Sequence, residues 1–139
     1  MSLAQRFAQV FGAIYLLVGI LGFIPPLFLG MTATGWGPFG GYLLGLFAVN
    51  WLHSLAHFAI GVAGLATFRN PDAARTYALV IGVAYVLLFV LGLFRLTPVG
   101  PLDGILPLNW LDNVLHLLTA LVAFGAYFFS TRPEAERVA

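Results

Sequence analysis

Apolar residues fill this chain in long uninterrupted blocks, and the polar residues between them fall at the intervals that membrane helices require. Sixty-two residues between Arg6 and Arg69 include no Asp, Glu, Lys or Arg. Nineteen such residues lie between Arg75 and Arg95, and nineteen more between Asp112 and Arg132. A helix crosses the hydrocarbon layer with roughly 20 residues, so the first block holds two spans and a connection, and the others hold one span each. Proline and glycine set the ends. The first helix is expected over about 4–23, stopping at Pro25-Pro26. Its apolar run is longer than that of a secretory leader, and no small-x-small cleavage site precedes Pro25, so it is expected to be retained. Gly35-Trp36-Gly37-Pro38 and Gly40-Gly41 predict an irregular connection. The second helix is expected over about 46–68 with an apolar lead-in from Tyr42, broken by Asn70-Pro71. The third is expected over about 73–94, and Pro98, Pro101 and Pro107 keep the next stretch irregular. The fourth is expected over about 108–130, before Pro133.

Composition narrows the class. Of 139 residues, 61% are hydrophobic and only 8% are charged, against about 25% charged in an average soluble domain. Mean hydropathy is +0.99. Five acids and six Arg cannot coat a soluble globule, and a disordered chain needs the opposite balance. The bilayer is therefore the expected partner. A net charge of +1 offers no basic field to nucleic acid. The absence of cysteine removes disulfides, thiolate metal sites and Cys-x-x-Cys redox chemistry. Arg6, Arg69, Arg75, Arg132 and Arg137 fall on one side of the expected spans and only Arg95 on the other. That bias predicts cytoplasmic N- and C-termini.

The chain also repeats itself. Residues 50–57 read Asn-Trp-Leu-His-Ser-Leu-Ala-His, and residues 109–116 read Asn-Trp-Leu-Asp-Asn-Val-Leu-His. Val10-x-Gly12-x-x-Tyr15 likewise matches Val80-x-Gly82-x-x-Tyr85, and Leu21-Gly22 matches Leu91-Gly92. The expected fold is all-α: an integral membrane four-helix bundle of two αα-hairpin repeats, about 1–70 and 71–132, with parallel topology. It forms one transmembrane domain. Under that symmetry the two Asn-Trp-Leu segments face each other in the outer part of the bilayer.

Candidate chemistry concentrates in those segments. His53 and His57 are one helical turn apart, as are Asp112 and His116. They are all the histidines of the chain and the only acid inside an expected span. As a metal site, His53, His57, Asp112 and His116 would suit zinc first, and iron, manganese or copper after it. Asn50, Ser54, Asn109 and Asn113 would then be polar groups orienting the ligands. As a haem site, His57 and His116 would be axial ligands, with Gly61 and Gly64 leaving room for the ring. As a relay, the histidines would carry protons. As a structural network, the same side chains would hydrogen-bond one helix to another, with Asp112 paired to His53 and Asn109 capping the fourth helix.

Other features are plainer. Gly12, Gly19, Gly22, Gly61 and Gly64 would permit close helix packing. Trp36, Trp51 and Trp110 fit an outer aromatic belt, with Phe128 and Phe129 at the inner face. There is no phosphate loop, dinucleotide fingerprint or Ser-His-Asp order, and no catalytic residue is expected.

At Asn50-x-x-His53-Ser54-x-x-His57 and Asn109-x-x-Asp112-Asn113-x-x-His116 the chain resembles the bacterial four-span membrane family catalogued as domain of unknown function 4383. The resemblance runs from the first helix to the fourth. In that family the first motif typically carries Asn where this chain has Ser54. The resemblance implies a multi-pass protein of the bacterial inner membrane, and it implies no activity. The expected role is non-enzymatic: a small membrane protein whose cluster is structural, with divalent-metal binding left open beside that role. The alternatives are a haem-binding or metal-dependent redox protein, and an accessory subunit, as a homo-oligomer or within a larger membrane complex.

Overall fold

The computed structural model describes residues 1–24, 28–29, 40–94 and 107–130. They form four helices and a small sheet. The order is α1 (Leu3–Leu21), β1 (Phe28–Leu29), β2 (Gly41–Leu43), β3 (Phe47–Val49), α2 (Trp51–Thr67), α3 (Pro71–Leu93) and α4 (Trp110–Phe128). The chain is mostly helical, as expected. α1, α3 and α4 are each long and apolar enough to cross a membrane, while α2 is apolar but shorter, at 17 residues.

Polar caps set where the helices begin. Ser2 accepts the Gln5 N–H at 3.3 Å, and the Gln5 side chain accepts the Ser2 N–H at 2.9 Å, a reciprocal capping box. Asn70 accepts the N–H groups of Asp72 and Ala73, and Pro71 fills the first position of α3, where its missing N–H costs nothing. Asn70-Pro71 therefore ends one helix and starts the next within a few residues.

The expected start of the second helix at about 46, with a lead-in from Tyr42, is not what the chain does. Residues 41–49 form a β-hairpin, and α2 begins only at Trp51. The sheet is antiparallel with order β1-β2-β3, and Tyr42 faces Ala48 while Leu43 faces Phe47. The turn places Leu44 and Gly45 at φ 53° and 74°. Two successive positive φ values are what a tight hairpin turn requires, and Gly45 adopts its value without a side-chain penalty. A short apolar run has no period that separates strand from helix. The hairpin turn at Leu44–Gly45 and the Asn50 cap decide the matter.

Packing is closest within two helix pairs, α1 on α2 and α3 on α4. Glycine permits the first. A Cβ on Gly12 would stand 2.9 Å from Leu65 N and 3.0 Å from Gly61 O, so the two backbones touch. In the second pair Gly82 lies under the Phe124 ring. The core is built from Ala4, Ala8, Ala74, Ala78, Ala120 and Ala123, with Tyr15, Tyr77 and Tyr85 among them. Phe7 and Ile81 join them, but many of the large aliphatic and aromatic side chains point outward. Leu87, Leu121 and Phe128 are 59%, 60% and 68% exposed. Small residues inside and large apolar residues outside is the arrangement expected of helices packed in lipid, where burial of Leu against Leu brings no gain.

Arg95, Asp103, Arg132 and Arg137, together with Trp36, Gly35–Pro38, Pro98, Pro101 and Pro133, lie outside the described residues.

Candidate functional site

The polar cluster assembles around the N-termini of α2 and α4. Each helix leaves its first N–H groups without intrahelical partners, and an asparagine answers at both. The Asn50 side chain accepts the His53 N–H at 2.8 Å. The Asn109 side chain accepts the Asp112 N–H at 2.9 Å, and the Asp112 carboxylate accepts the Asn109 N–H at 2.8 Å in return. The two Asn-x-x-(His/Asp) motifs are thus N-cap motifs first. Trp51 and Trp110, next to the caps, stand 43% and 74% exposed.

The residues at the third helical position then reach beyond their own helices to β3. One edge of β3 pairs with β2, which leaves the other edge with backbone groups to satisfy. Asp112 Oδ2 accepts the Ala48 N–H at 3.0 Å. His53 Nδ1 lies 3.1 Å from the Ala48 carbonyl oxygen, with the ring donating. Asn109 Nδ2 donates to the Leu46 carbonyl at 2.6 Å. The edge is therefore closed by side chains of α2 and α4 where a fourth strand would otherwise sit. Ala48 is 1% exposed, Asp112 and His53 each 4%, so the two bonds to Ala48 form away from solvent, where an unpaired backbone group costs about 1–3 kcal/mol, while the Asn109–Leu46 bond lies at the exposed rim. The expected pairing of Asp112 with His53 is replaced by a shared grip on Ala48. Among the described residues Asp112 makes no ion pair with a histidine.

One turn deeper, His57 and His116 meet aromatic rings rather than backbone. Tyr15 stands edge-on to His57, with ring centroids 4.8 Å apart and 77° between planes. Tyr85 stands edge-on to His116, at 5.2 Å and 85°. His53 lies 4.5 Å from His57, centroid to centroid. The two tyrosine rings are 5.8 Å apart, and the Tyr15 hydroxyl has those of Tyr85 and Thr119 as hydrogen-bonding neighbours. The Nδ1 atoms of His57 and His116, and Oδ1 of Asn113, are buried without a hydrogen-bond partner among the described residues.

Ser54 and Asn113 face glycines at the far ends of α1 and α3. Ser54 Oγ donates to the Gly22 carbonyl at 3.3 Å. A Cβ on Gly22 would collide with the Ser54 hydroxyl, and one on Gly92 with the Asn113 amide. Space here is taken by the polar side chain of the neighbouring helix.

Of the residues singled out from sequence, His53, His57, Asp112 and His116 all fall in this region, and Asn50, Ser54, Asn109 and Asn113 surround them. His53 and Asp112 are engaged with Ala48, whereas His57 and His116 keep a free ring nitrogen. Among the described residues no group of three or more His, Asp or Glu is placed to hold a metal ion. Sequence reasoning missed Ala48, which offers only its backbone. It also missed Thr119 and the role of the two tyrosines, although Tyr15 and Tyr85 occupy matching positions of the repeat.

A family model described as a domain of unknown function, DUF4383, matches residues 5–129. No curated protein and no solved structure matches the chain.

Proposed function

The chain belongs to the DUF4383 family, and from that premise we propose a non-enzymatic integral membrane protein whose polar cluster fixes a small extracytoplasmic sheet onto a four-span bundle. In this reading α2 is the fourth span. Its 17 residues sit at the short end of the spanning range, about 17–25, and α1 lies against it backbone to backbone. Both termini are cytoplasmic, by the arginine bias, and the membrane is the bacterial inner membrane.

The observation that carries the reading is the closure of the β3 edge by Asp112, His53 and Asn109. Ala48 is buried, so neither water nor lipid can pair its backbone groups and protein must. The duplicated hairpin is supported by contacts that recur under the sequence match. Asn50 and Asn109 cap. His53 and Asp112 hold Ala48. Ser54 meets Gly22 as Asn113 meets Gly92, and His57 meets Tyr15 as His116 meets Tyr85.

Single cysteines test the topology, because the natural chain has none to interfere. In intact cells a membrane-impermeant maleimide should label Leu46→Cys and Asp103→Cys, and leave Ser2→Cys and Asn70→Cys unlabelled until the membrane is opened. Labelling of Ser2→Cys and Leu46→Cys from the same side would remove the four-span reading.

A second reading rests on the two unpaired Nδ1 atoms. A neutral imidazole with its proton on Nε2 presents a lone pair at Nδ1, which a divalent cation such as zinc would satisfy. His57 and His116 would be the first ligands.

A further inference from the structure

The glycines of the helices and their C-terminal ends divide unevenly. At Gly12, Gly19, Gly22, Gly61, Gly64, Gly82 and Gly92 an added Cβ would come within about 3 Å of a neighbouring group, so packing explains each of them. Gly125 is different: a Cβ there would meet nothing within 4 Å. A helical glycine that no neighbour requires carries the usual propensity penalty without a packing return. The space beside it is a groove of about 390 Å³ between α1 and α4. Val10, Ile14, Val122 and Phe129 wall the groove, and all four are more than half exposed. It opens sideways, toward what would be lipid.

Arg6 is the charged residue of the lining, at the end nearest the α1 N-terminus. The three described arginines differ in their partners. Arg75 donates to the Tyr127 carbonyl at 3.3 Å and stacks 4.1 Å from its ring. Arg69 lies 5.5 Å over Phe68. The Arg6 guanidinium is exposed and has no ring contact, ion pair or hydrogen bond among the described residues. From Leu3 to Ile14 the groove runs about 16 Å along α1, at 1.5 Å per residue. A channel of that length, apolar along its walls and ending on a cation with no partner among the described residues, is complementary to one acyl chain joined to an anionic headgroup.

We propose that this groove binds an anionic phospholipid, with an acyl chain over Gly125 and the phosphate on Arg6. The proposal rests on the membrane reading above and adds to it a lipid site of defined charge. An acyl chain restores the van der Waals contacts that Gly125 leaves unmade. A guanidinium offers paired donors to phosphate and holds its charge at the membrane surface.

Native mass spectrometry of the whole chain, purified with equal amounts of phosphatidylglycerol and phosphatidylcholine, tests this. Wild type should retain phosphatidylglycerol over phosphatidylcholine by about fivefold, the preference expected of one surface arginine. Gly125→Leu, which fills empty space and leaves the fold intact, should lose the bound lipid of both kinds. Arg6→Gln should keep bound lipid and lose the preference. Undiminished phosphatidylglycerol on Gly125→Leu, or an unchanged preference in Arg6→Gln, would overturn the proposal. So would a wild-type dimer that Gly125→Leu dissociates without loss of lipid, since the groove would then hold a second copy. Carbonate extraction of the same membranes separates the two levels. Release of wild type into the supernatant defeats the membrane reading, whereas retention with no lipid preference defeats the groove alone.

Discussion

Asp112 and His53, from different helices, hold the two ends of one residue's hydrogen-bonding capacity: Asp112 accepts the Ala48 N–H at 3.0 Å, and His53 meets the Ala48 carbonyl at 3.1 Å. The geometry turns two residues that look like ligands into the seal of a strand edge. A residue with no chemistry of its own, Ala48, is the point at which α2, α4 and the sheet meet.

Truncation at Asp112 should therefore be costly. Asp112→Ala leaves the Ala48 and Asn109 N–H groups unpaired at once, at about 1–3 kcal/mol for each buried group. Asp112→Asn keeps a carbonyl acceptor and should lose roughly half as much. Thermal unfolding in detergent measures both. If Asp112→Ala melts with wild type, the seal contributes nothing.

The two grips on Ala48 should be coupled. In a double-mutant cycle, His53→Ala and Asp112→Ala together should cost less than the sum of the single changes, by about 0.5–3 kcal/mol. Once one grip is lost, β3 no longer presents Ala48 to the other. Strict additivity would mean that the two side chains act on separate elements.

Glycine substitutions should sort by environment. Gly12→Ala forces a Cβ to within 2.9 Å of the α2 backbone and should destabilise by about 1–3 kcal/mol, the usual cost of overpacking. Gly125→Ala meets open space and should be neutral or stabilising, by up to about 1 kcal/mol. The same sign for both in a melting experiment would contradict the packing described for α1 and α2.

Zinc distinguishes a ligand from a filler at His57 and His116. If the unpaired Nδ1 atoms bind the ion, zinc at 100 times its Kd should stabilise wild type by about 2.7 kcal/mol. It should do nothing for His57→Ala or His116→Ala. Equal melting shifts in all three proteins, or none in wild type, would end the metal reading. Tyr15→Phe and Tyr85→Phe keep the ring packing against each histidine, so they should leave any zinc response in place.

Much of this protein was legible along the chain. Apolar run length and the high cost of charge in lipid decided four helices near their observed positions, because those constraints act on one segment at a time. The repeat located the polar cluster, since matched Asn and His residues recur at helical spacing whatever surrounds them. The caps were half legible: Asn109 reads as a cap beside Pro107, whereas Asn50 was hidden inside an apolar run.

What the sequence could not settle depends on pairing across distance. Residues 41–49 have helical hydrophobicity and no strand period. They become strands because a turn at Leu44–Gly45 folds them back, and because Asp112 and Asn109, more than sixty residues away, seal the free edge. The partners of Asp112 and His53 were likewise invisible, since a backbone N–H or carbonyl carries no residue-specific signature. Local cost placed the helices and gathered the polar residues. Tertiary contact alone decided which of those residues are spent on backbone and which, like His57 and His116, keep an Nδ1 without a partner among the described residues.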